Sequence, residues 1–102
     1  MRTETISTGA SAELDDPTAQ PYFIWDVPIS VAELRRHLAD PDPRDRALWM
    51  ARVMREARYW DVWRFLRLDD VVSEYDRLKR HLGRKRRFWD FLLKGWRDDG
   101  LL

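Results

Sequence analysis

The chain has no cysteine, which removes disulfides, thiolate metal ligands and thiol nucleophiles together. No apolar run approaches the roughly 20 residues that a bilayer-crossing helix needs. The opening, MRTETISTGASAELDD, holds no apolar block of the kind a secretory signal carries. The chain therefore reads as cytosolic, with no membrane contact. Glycine is sparse, four in 102 residues, and none sits in a phosphate-cradling loop. Histidine is sparser still. His37 has Glu33 and Asp40 near it along a helix, the minimum of a metal triad, but Glu33 has a capping role and no second histidine lies close. His81 stands among Arg77, Lys79, Arg80 and Arg84, which repel a cation. Ser30 is a helix cap, Ser73 has no base beside it, and Ser7 and Ser11 fall in a polar N-terminal stretch. These absences describe a protein that is not an enzyme and needs no metal or cofactor.

What is present is helical punctuation. Residues 1–20 combine Thr, Ser, Ala, Gly and acids with almost no large apolar group, so they read as a disordered acidic tail. The remainder, 21–102, reads as one domain, since cores grow well past this size before a chain divides. PYFIWDVP (21–28) lies between prolines and is expected to run extended, strapping Tyr22, Phe23, Ile24 and Trp25 onto the body. Ser30 and Glu33 form a capping box, with Ile29 and Leu34 placed as a hydrophobic staple around it. Asp40-Pro41 ends that first helix. Asp42 caps a second, with Pro43 at its first position, running to about Arg58. Asp61 is expected to cap a short third helix to Arg67, and Asp69 a fourth. The fourth steps Val71, Tyr75, Leu78, Leu82 along one face, and Gly83 stops it. A fifth spans about Arg84 to Asp99, with Gly100 as terminator. No stretch alternates with period two, so the fold class is all-α, a small bundle of about five helices.

Two of these helices are unusually greasy. Trp49, Val53, Ala57, Met50, Met54, Ala47 and Ala51 cover about 200° of the second helix. Phe91, Phe88, Leu92, Trp96, Trp89 and Leu93 cover a similar arc of the fifth. An ordinary surface helix shows a stripe of about 100°. Either these helices pack on two sides or they offer an apolar face to another molecule. Tryptophan, tyrosine and arginine dominate interface energies, so Trp49, Trp60, Trp63, Trp89 and Trp96 are the candidate partner-binding residues, with Arg84, Lys85, Arg86 and Arg87 supplying ion pairs. The same arcs would also serve a homodimer. Three tryptophans, Trp25, Trp60 and Trp89, are each followed by aspartate. The spacing is too short for a four-stranded propeller blade; the aspartates read as helix caps or solvating groups.

Charge is balanced overall, +1, but unevenly spread. RLKRHLGRKRR (77–87) carries Arg77, Lys79, Arg80, Arg84, Lys85, Arg86 and Arg87 with no acid. Cations at a helix start oppose the dipole, so an anion or acidic partner would suit that corner. A second reading follows, a small nucleic-acid-binding protein that holds phosphates with these seven side chains.

REARYWDVWRFLRLDDV followed by RRFWDFLLKGWRDDGLL, with IWDV upstream, resembles small helical bacterial proteins encoded beside nucleotidyltransferase-fold toxins of the AbiEii/AbiGii type. The resemblance covers roughly Tyr22 to Leu102. It implies an antitoxin-like protein that binds and restrains a nucleotidyltransferase-like toxin. It carries no functional residues over. The winged-helix domain of the larger antitoxins is not in this sequence, so the resemblance does not extend to operator binding.

Overall fold

Five α-helices build the protein in a computed structural model that describes residues 11–102, and no strand forms among the described residues. Helix α1 (Val31–Leu38) begins as its sequence requires. The Ser30 hydroxyl accepts from the Glu33 amide at 3.1 Å, and the Glu33 carboxylate accepts from the Ser30 amide at 2.9 Å. That backbone bond holds the Glu33 carboxyl below its usual range. Ile29 and Leu34 are both buried, closing the staple. The two helix amides the box does not reach donate elsewhere: Val31 to the Ala19 carbonyl at 2.8 Å and Ala32 to that of Pro17 at 3.0 Å. Every free N–H of the first turn thus has an acceptor.

Helix α2 (Pro43–Glu56) starts with Asp42 accepting from the Arg44 amide and Pro43 in the first turn. Helices α3 (Tyr59–Phe65) and α4 (Leu68–Leu78) follow. Short 3-10 turns, Lys79–His81 and Gly83–Lys85, lead into α5 (Arg86–Asp98). Gly83 takes φ +54° where the chain changes direction. At the far end Leu101 and Gly100 donate back to the Trp96 and Arg97 carbonyls, a Schellman closure. Helix α2 is the axle: α1, α3, α4 and both 3-10 turns pack against it. Its Ala47, Met50, Ala51, Val53 and Met54, and Ala57 just past its end, are all buried. From α4 and beyond, Val71, Tyr75, Leu78 and Leu82 supply the facing wall as one stripe.

Two aspartates expected to cap helices lie inside them instead, and at Asp61 tertiary partners claim the carboxylate. Asp61 does not cap α3. It lies within the first turn and is fully buried, its Oδ2 accepting from the Ser11 hydroxyl and the Tyr22 hydroxyl, each at 2.7 Å. Its Oδ1 lies 3.1 Å from Arg64 Nε, an ion contact that is not aligned as a hydrogen bond. Burial and the Asp61 hydrogen bond push the Tyr22 hydroxyl up to about 12. Asp69 likewise sits inside the first turn of α4 beside Asp70, where both carboxylates favour the helix dipole.

The expectation of a disordered acidic tail over 1–20 is corrected for its second half. Residues 1–10 lie outside the described residues, but 11–20 are ordered against the body. Leu14 is buried, Ser11 reaches Asp61, and Asp15 meets Arg64 at 2.8 Å. One apolar anchor and a set of contacts to distant residues offset an ordering cost that local composition alone could not. The strap is not extended throughout, because Ile24 donates to the Pro21 carbonyl and closes a turn. Phe23 and Ile24 are buried beneath it.

Candidate functional site

The outer faces of α3 and α5 meet through rings. Tyr59 stands 6.0 Å, centroid to centroid, from each of Trp63, Phe88 and Trp89. Trp63 lies 5.8 Å from Trp89 and 6.3 Å from Trp96. Most of these pairs are edge-to-face, the arrangement that aromatic quadrupoles favour. Trp89 is the root of the cluster. It is 1% exposed and donates its indole N–H to the Met54 carbonyl at 3.1 Å. A polar link repeats the attachment: Tyr75 donates to Asp90 at 2.6 Å, tying α4 to α5. Burial, then that hydrogen bond, raises the Tyr75 hydroxyl well above its ordinary range.

The apolar arc of α5 is covered along one edge alone. Trp89 and Leu93 are buried, Leu92 and Trp96 are half-buried, and Phe88 and Phe91 face outward. Phe91 is 74% exposed, and on α3 Trp60 is 64% exposed. Tyr59, also exposed, touches Phe88. Phe91 follows Phe88 by three positions on the same helical face and Tyr59 meets Phe88, so these exposed rings form one ridge across two helices, with Trp60 on the next face of α3. Beside it runs a groove of about 360 Å³ lined by Met54, Ala57, Tyr59, Lys85, Phe88 and Trp89.

The candidate residues separate accordingly. Trp60 is open, Trp63 and Trp96 are half-buried supports, and Trp89 belongs to the core of the isolated chain. Trp49 is elsewhere: its ring stacks on His37 at 4.5 Å, on the opposite flank of α2 from Met54. His37 also approaches Asp45 at 3.8 Å, so its ring packs and pairs within the fold. Trp25, assigned to the strap, is 75% exposed and lies 5.7 Å from the Arg52 guanidinium.

The three Trp-Asp pairs share no fold role, and none of their aspartates caps a helix. Asp26 pairs with Arg52, which holds its carboxyl below the usual range. Asp61 gathers Ser11, Tyr22 and Arg64; Asp90 accepts from Tyr75 and faces Arg86 at 3.6 Å. Each aspartate fastens a different long-range contact.

The basic run is divided by the fold. Lys85 donates to the Arg55 carbonyl at 3.1 Å and lines the groove beside the ridge. Arg84 and Arg87 are exposed, with no acid within ion-pair distance among the described residues, at the start of α5 where no acid occupies the first turn. Lys79 pairs with Asp76 at 3.3 Å. Arg77 and Arg80 turn to a second groove, against α2. Among the described residues no helix is long and apolar enough to cross a membrane, and no three His, Asp or Glu side chains converge as metal ligands. No protein-family model, curated protein or solved structure matches the chain.

Proposed function

We propose that this chain is a non-enzymatic interaction protein. Its aromatic ridge on α3 and α5 binds a protein partner, and that partner is a nucleotidyltransferase-type toxin that it restrains. The observation carrying the binding role is the exposure of large rings around a rooted cluster: Phe91 is 74% and Trp60 64% exposed, beside Tyr59 and Phe88, which are exposed yet held against Trp63 and Trp89. Rings held in place by packed neighbours lose little entropy on binding, and their burial is the largest favourable term such an interface can draw on. Arg84 and Arg87 flank the ridge as free cations, so the partner's matching face is apolar at its centre with acids at one rim. The identity of the partner rests on the sequence resemblance alone.

The test is co-expression with a nucleotidyltransferase-fold toxin of the AbiEii/AbiGii type, followed by co-purification and a growth-rescue assay. The wild-type chain is expected to co-purify with the toxin and restore growth. A double variant, Trp60→Ser with Phe91→Ser, is expected to weaken binding at least about 30-fold, since hot-spot truncations cost about 2 kcal/mol or more. Unchanged affinity in that variant would remove the ridge from the interface. Failure of the wild type to co-purify would remove the toxin. A concentration-dependent dimer in sedimentation that disappears in the double variant would assign the ridge to a second copy of the chain.

A further inference from the structure

A second site lies between α2 and the end of α4, sharing no lining residue with the groove beside the aromatic ridge. It is a groove of about 340 Å³ bounded by Arg44, Ala47, Leu48, Arg77, Arg80 and His81. Its floor is apolar, and Leu48 is 52% exposed within it. Its rim is cationic, and no acid lines it. Internal acids neutralise these arginines poorly. Arg44 Nε is 3.9 Å from Asp42, which already caps α2. Arg77 Nε is 3.6 Å from Glu74, which is engaged by Arg46 at 3.2 Å. Arg80 meets no acid among the described residues. Three guanidinium forks around a greasy floor call for a ligand that is anionic and partly apolar.

We propose that this groove binds single-stranded nucleic acid, with phosphates on Arg44, Arg77 and Arg80 and a base lying over Leu48. The donor–acceptor balance selects this ligand over an acidic peptide. The lining side chains are apolar or donors, the His81 imidazole alone adding one acceptor nitrogen when neutral, and the His81 carbonyl already accepts from Arg55 at 2.8 Å. A peptide would bring a backbone N–H at nearly every residue and find at most that one side-chain acceptor. A phosphodiester backbone brings acceptors alone. A duplex would touch the rim and leave the floor unfilled, whereas an unstacked base can enter. A groove of about 300 Å³ continues the path across Leu48 and His81 toward Trp49. Its own arginines are committed, Arg52 to Asp26 and Arg55 to Glu56. That extension therefore offers surface for a further base and adds no phosphate contact.

The proposal stands apart from the toxin reading, because its test needs no protein partner. Fluorescence anisotropy of the full chain with a labelled twelve-nucleotide dT or U strand measures it, with circular dichroism confirming that each variant is folded. Three phosphate contacts predict a slope of log K against log salt of about −2, hence roughly 20-fold weaker binding at 200 mM than at 50 mM. Arg80→Glu and Arg44→Glu are each expected to weaken binding at least about tenfold and to flatten the slope. Leu48→Ser is expected to cost a few-fold with the slope unchanged. Arg97→Glu, an exposed site on α5 outside every groove described, is expected to stay within about twofold. No binding at 50 mM, equal loss in Arg97→Glu and Arg80→Glu, or equal competition by a twelve-residue aspartate-rich peptide would each overturn the proposal.

Discussion

Helices α2 and α5 carry apolar arcs of the same width, about 200°, and the fold treats them differently. The body is 22 Å across its thinnest direction, about two helix diameters. In such a slab a helix in the middle has neighbours on both flanks, and one at the margin has a bare side. Helix α2 is in the middle, with α1, α3 and α4 around it, and its arc, the half-buried Trp49 apart, lies in the core. Helix α5 is last in the chain and marginal in space, so Trp89 and Leu93 are covered while Phe88 and Phe91 are not. The width of an apolar arc records how much surface a helix could bury. Its place among the other elements decides how much it does.

That contrast can be broken by mutation. Trp89→Ala should have the largest effect, destabilising the fold by about 3–5 kcal/mol in urea denaturation, because a buried indole is lost and the Met54 carbonyl loses its donor. A cost near zero would mean that α5 is not rooted at all. Met54→Ala, on the covered arc of α2, should cost about 2–5 kcal/mol by the same measurement. A third test concerns the polar fastener of α5. Tyr75 holds its proton to higher pH folded than unfolded, so above about pH 10, where the free phenol ionises, the unfolded state binds fewer protons and stability falls as pH rises. Tyr22, pushed up to about 12, acts with the same sign. Denaturation at pH 9 and pH 11 should show the fall, and Tyr75→Phe should make it shallower. The smallest effect belongs to Phe91→Ala, expected within about 0.5 kcal/mol of wild type. A cost above 2 kcal/mol would show that the outer edge of α5 is covered in the free chain and would erase the difference between the two helices.

Local rules were read well from the sequence. The Ser30–Glu33 box, the Ile29–Leu34 staple and the Asp42-Pro43 start all stand where their residue types placed them. The stripe from Val71 to Leu82 is buried throughout. What escaped had its cause far along the chain. Asp61 looked like a cap because its partners, Ser11 and Tyr22, are 50 and 39 residues away. Residues 11–20 looked unable to order for the same reason. The basic run looked like one patch. Its division between two grooves depends on Arg44 and Arg55, which face it across the fold from α2. The ridge was half legible: the rings were evident, but which edge of α5 faced outward was set by docking, and Trp25 was assigned inward although its ring is open.

The Asp61 junction also fixes an order of events during synthesis. Ser11 and Leu14 leave the ribosome well before their anchor exists, since Asp61 follows Ser11 by 50 residues. At about 5–20 residues per second, that interval lasts roughly 3–10 seconds. For that time Ser11 lacks its buried acceptor, and it is then that a chaperone or a protease would find this end of the segment.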